Sequence, residues 1–190
     1  MAALLMTNIV TVYAQSQAEF SSEPDKSMAT AHESFIKGDI NKATAEIKKA
    51  ATYVHAQEKK VAKDAAPSVK KAAEDLDRLG TDVEKGMVKS GDELKKTFAQ
   101  VDYALATAWH ATAEQEQKAG KNASAAARSA GAGLEGAAKW TGSKLDAGAQ
   151  AAVDAVHTAG RGARLGVDAL GRVIRGIGEG IADVGKKIGG

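Results

Sequence analysis

AQAAVDAVHTAGRGARLGVDALGRVIRGIGEGIADVGKKI, residues 149–188, decides how this chain is read. Apolar or small side chains recur there at alternating steps of three and four: Ala163, Val167, Leu170, Ile174, Ile177, Ile181, Val184 and Ile188. That spacing puts them on one narrow stripe of an α-helix. Arg161, Arg164, Asp168, Arg172, Arg175, Glu179, Asp183, Lys186 and Lys187 fall on the opposite face. Gly160, Gly171, Gly178 and Gly185 line one flank of the stripe, and Gly162 and Gly180 the other. A glycine inside a helix costs roughly 0.5–1 kcal/mol relative to alanine. The eight between 160 and 185 therefore cost on the order of 4–8 kcal/mol. A helix so burdened is marginal alone and forms when its stripe is covered. The predicted occupant is a membrane surface or a protein partner, met by Val167, Leu170, Ile174, Ile177, Ile181, Val184 and Ile188. Glycine flanks also allow close helix approach, which makes a homo-oligomer a further expectation. The charges on the polar face argue against a membrane-spanning hairpin.

Upstream of this arm the chain reads as an antiparallel bundle of long helices, so the fold class is all-α. Alanine, lysine and glutamate are abundant, aromatics scarce, and Pro67 is the only proline past Pro24. That composition favours helices over strands. The glycine content rises from 5 before residue 131 to 15 from there onward. A boundary near residue 141 follows, with a bundle over 19–140 and the arm over 141–190. Inside the bundle, Phe20 to Lys26 reads as a linker and helix begins near Ser27. Gly38 closes that helix and Asp39 caps the next. Ile40, Ala43, Ile47, Ala50, Val54, Val61 and Ala65 continue the three-and-four spacing. Pro67 predicts a kink or restart, and Gly80 a stop. Thr81 with Glu84 and Ser90 with Glu93 are both capping boxes, the second the better start. It opens onto Leu94, Phe98, Val101, Leu105, Ala108 and Thr112. Gly120 ends or bends that helix, and Asn122 can cap the next.

Residues 1–18, MAALLMTNIVTVYAQSQA, carry no charge and join an apolar run to small-x-small triplets at Val12-Tyr13-Ala14 and Ser16-Gln17-Ala18. This is the pattern of a secretory signal peptide, without the usual basic start, and implies a periplasmic or secreted protein. The run is too short to span a bilayer.

Chemistry-bearing patterns are sparse. The chain has no cysteine, which removes disulfides, thiolate metal sites and cysteine nucleophiles. There is no Gly-rich phosphate loop and no nucleophile pattern around Ser or Thr. Net charge is +2, with 19 basic and 19 acidic side chains over 19–140, and no aromatic follows Trp140. A nucleic-acid partner normally requires a stronger basic bias, so none is expected. Four histidines, His32, His55, His110 and His157, fall one to each long segment. A bundle could bring two together on haem, a metal or a small apolar ligand, but no Glu-x-x-His pair is present. The expectation is therefore a non-enzymatic envelope protein without a cofactor; the alternative is a ligand-binding bundle.

Phe35-Ile36-Lys37-Gly38-Asp39, followed by Ala43, Ile47 and Ala50, resembles half of a tetratricopeptide-type hairpin. The same phrase resembles bacterial periplasmic all-helical proteins of the YfdX type. That resemblance implies a helical, envelope-located, stress-associated protein and no catalytic site. Beyond Trp140 the composition is similar to late-embryogenesis-abundant and apolipoprotein-like amphipathic helices.

Overall fold

Seven helices account for the regular structure in the computed structural model, which describes residues 23–160 and 165–189. The expected signal peptide and Arg161, Gly162, Ala163 and Arg164 lie outside the described residues. Helix α1 covers residues 23–36, so the predicted linker is helical from Glu23 onward. Packing sets this boundary: Pro24, Ser27, Met28, Ala31 and Ser34 are buried at helical spacing. Gly38, at φ +78°, turns the chain, and the Asp39 carboxylate accepts from the Lys42 N–H at 3.1 Å.

Helix α2, Ile40–Gln57, buries Ala43, Ile47, Ala50 and Val54 as its spacing predicts. It ends at Gln57 instead of running on to Ala65. Val61 and Ala62 stay buried in a turn, held where the Ala62 N–H donates to Thr112 Oγ1 at 2.8 Å. Helix α3, Ala66–Glu84, restarts with Pro67 in its first turn, where the missing N–H costs nothing. Gly80 does not stop it. A Cβ there would stand 3.3 Å from Lys48 Cγ and 3.4 Å from Ile47 Cγ2, so this glycine lets α2 approach. Thr81 and Glu84 accordingly lie at the end of α3, and Thr81 Oγ1 donates to the Asp77 carbonyl.

Helix α4, Gly91–Lys118, starts at the predicted box: Ser90 Oγ accepts from the Glu93 N–H at 3.4 Å. The Glu93 carboxylate reaches back to the Lys89 N–H at 3.2 Å, one residue before the cap. Leu94, Phe98, Val101, Leu105, Ala108 and Thr112 are all buried. Helix α5, Ser124–Thr141, follows. The tail forms two helices rather than one, α6 over Ala147–Gly160 and α7 over Val167–Ile188. Gly166, extended at φ −64° and ψ 159°, begins α7 afresh.

Neighbouring contacts give the directions. His55 meets Asp77 and Lys48 meets Glu84, so α2 and α3 run antiparallel. Phe98 lies against Trp140, and Gly133 and Gly136 lie on Ala106 and Asp102, so α4 and α5 do too. Gln117, His110 and Tyr103 meet Gly171, Gly178 and Gly185 in reverse order, making α7 antiparallel to α4. Leu134 meets Gly180, and Gly131 lies near Ile177, which makes α7 parallel to α5.

Two cores result. Met28, Ile47, Val54, Val69, Leu76, Leu94, Phe98 and Val101 fill the first, between α1, α2, α3 and α4. Alanines of α4 and α5, together with Leu134, Val153, Val156 and the α7 stripe, fill the second. The composition shift near residue 141 is therefore not where the packing divides, because α5 shares its core with α6 and α7. No helix among the described residues is long and apolar enough to cross a membrane.

Candidate functional site

The α7 stripe is covered by the chain itself. Leu170, Ile174, Ile177, Ile181 and Val184 are buried against α4, α5 and α6, and Ile188 is partly buried on the same core. Val167 departs from the expectation: it is 78% exposed on the first turn of α7 and belongs to neither core. The surface predicted to meet a membrane or partner thus faces inward here. The reason is the seat. Ala113, Ala126, Ala130, Ala149 and Ala152 leave a shallow trough into which large branched side chains fit.

The flanking glycines make the fit possible. A methyl group at Gly180 would stand 2.7 Å from both Ala149 Cβ and Leu134 Cδ2. One at Gly176 would stand 2.9 Å from Ala152 Cβ, and one at Gly185 2.6 Å from the Tyr103 hydroxyl. The close approach expected between copies occurs between helices of one chain. Polar ties are few: among the described residues, the side-chain hydrogen bond joining α7 to another helix is His110 Nε2 to the Ile174 carbonyl, 3.0 Å.

The four histidines go to four separate places. His55 Nε2 lies 3.0 Å from Asp77 and links α2 to α3, while His157 Nε2 lies 2.9 Å from Glu135 and links α6 to α5. His110 holds α7. The His32 ring packs at 5.8 Å on Trp140, and its Nε2 is buried without a hydrogen-bond partner. Burial, then the nearby Lys95, lowers its pKa. No three His, Asp or Glu side chains among the described residues gather as a metal would require.

Sequence reasoning missed the most unusual polar feature. Asp102, on the apolar face of α4, is 1% exposed. Its carboxyl lies against Gly136, and a methyl group there would collide with it and stand 2.8 Å from Asp25 Oδ1. Asp25 belongs to the stretch read as a linker. Burial pushes the Asp25 carboxyl up to about 6. Burial, and then the Asp25 charge, raises Asp102 well above the usual carboxylate range. The signal was present: Phe98, Asp102 and Leu105 keep the stripe's own four-and-three spacing, so an acid stands where the core requires an apolar side chain. No family model, curated protein or solved structure matches this chain.

Proposed function

We propose that this chain is a non-enzymatic, exported helical bundle that binds lipid surfaces by exchanging the seat of α7 for the acyl boundary of a membrane. One observation carries the reading: α7 puts its large apolar side chains on a seat made mainly of alanines and, among the described residues, is tied to it by one side-chain hydrogen bond. In water, release is strongly unfavourable, since each of Leu170, Ile174, Ile177 and Ile181 loses roughly 1.5–3 kcal/mol of burial. At a lipid surface those side chains are buried again, while the seat they leave exposes mainly alanines, together with Leu134, Val153 and Val156. Arg172, Arg175, Glu179, Lys186 and Lys187 face water in both states. A strongly amphipathic helix of low net hydrophobicity lies in the membrane interface instead of crossing it.

The test uses the full mature chain with Val167→Cys carrying an environment-sensitive fluorophore. Val167 is exposed in the closed bundle and begins the stripe. Vesicles of mixed neutral and anionic lipid are expected to co-float with the protein and to shift the emission to the blue. Flotation without an emission change means another surface binds lipid. No flotation leaves α7 as a structural helix of the bundle. Either outcome overturns the reading.

A further inference from the structure

We propose that Asp25 and Asp102 share a proton and act as a latch that fastens α1 onto α4 and α5. The pair sits where three helices meet: Asp25 on α1, Asp102 on α4, and Gly136 on α5 providing the space for both carboxyls. With both carboxyls ionised, Asp25 Oδ1 and Asp102 Oδ2 are buried acceptors with no donor. One proton between them turns one acid into a donor and gives each oxygen a partner. Two buried carboxyls crowded into the one space at Gly136 cannot both ionise without strong repulsion.

The surroundings relieve that repulsion only in part. On α5, Lys139 favours the charged forms and Glu135 opposes it at Asp25, while Glu135 is itself engaged by His157. The Trp140 indole N–H favours ionised Asp102 but completes no hydrogen bond. On α1 the nearest acid, Glu23, pairs with Lys26 and with Lys49 of α2. From α2 and α5 the neutral Gln57 and Ser129 line a void of about 20 Å³ beside the pair. On α4, Lys95 and Asp92 act on His32, one helix turn or more from the pair.

The sign follows from linkage. Both carboxyls titrate higher in the folded chain than when unfolded, so their contribution is complete in acid and falls as pH rises, first as Asp25 ionises through about 6 and then as the remaining shared proton leaves Asp102, whose carboxyl is raised well above the usual range. Without the shared proton α1 keeps its apolar contacts through Met28 and Ala31, the His32–Trp140 stack and the Glu23–Lys49 ion pair. The latch therefore holds in acid and loosens as pH rises, opposite to the usual acid denaturation of carboxylate-paired proteins.

The experiment follows amide exchange of peptides from residues 23–36, corrected for intrinsic rates, together with the melting temperature, between about pH 5 and about pH 8. In the parent chain, α1 protection and the melting temperature are expected to fall across that range, with α3 as the unmoved reference. Asp102→Asn should abolish the fall, because an amide donates to Asp25 at every pH. A parent whose α1 protection is flat with pH overturns the proposal, and so does an Asp102→Asn chain that retains the fall. Should Asp102→Asn not fold, Asp25→Asn makes the same substitution on the other partner, and the parent profile alone still decides.

Discussion

The two cores are built on opposite principles. Between α1, α2, α3 and the first half of α4, contact is made by Met28, Ile47, Leu76, Leu94 and Phe98, each fully buried. Large side chains hold those helices apart and interlock. Around α5, contact is made by Ala126, Ala130, Gly133, Gly136 and Ala137, so the helices approach until at Gly133 the α4 backbone leaves no room for a Cβ. The first core is sensitive to lost volume and the second to added volume. Composition alone merges the two, because alanine and glycine look featureless until a partner helix is placed on them.

The largest effect is expected from Ile174→Asp with Ile181→Asp. The two side chains lose about 3–6 kcal/mol of burial between them, at roughly 1.5–3 kcal/mol each, before the penalty for buried charge. A thermal melt should drop steeply and α7 amides should lose protection. A chain that melts like its parent would mean that α7 does not pack as described. Next comes Leu76→Ala in the first core, expected to cost about 2–5 kcal/mol in a denaturant titration.

The sign of Gly133→Ala sharpens the contrast. In an open helix this change stabilises by roughly 0.5–1 kcal/mol. Here the new methyl would meet the Ala106 backbone N at 2.8 Å and the Asp102 carbonyl at 2.9 Å. Backbone cannot step aside as a side chain can, so a loss of about 1–3 kcal/mol is expected. A gain in stability would remove the close-approach account of the second core. The smallest effect is expected from Glu93→Ala, about 0.5–2 kcal/mol, borrowing the range for a lost helix cap. A melt that ranks it above Leu76→Ala would mean that the α4 start carries more than its hydrogen bonds explain.

The all-α class and the stripes of α2, α4 and α7 were legible, since periodicity reports directly which face of a helix is covered. Covering partners were not. The spacing of Ile174 and Ile181 is the same whether lipid or an alanine trough lies opposite. Gly80 and Gly86 illustrate the limit: one admits α2, the other turns the chain at φ +66°, and the letter is the same. Asp25 was hidden because Pro24 reads as linker chemistry, whereas Asp102 stood in plain view on an apolar stripe. A charge on a core face is a stronger local signal than the histidines, which spread over four helix pairs.

The placement of α1 sets an order of assembly. The hairpins α2–α3 and α4–α5 join neighbours in the chain, and contacts of that kind form early at small entropic cost. Asp25 instead finds its place against Gly136, about 110 residues downstream. During synthesis α1 emerges long before α5: Met28 and Ala31 share their core with residues of α2, α3 and α4, whereas Asp25 waits for Gly136. The acid pair is thus among the last contacts to form, closing only once α5 lies on α4.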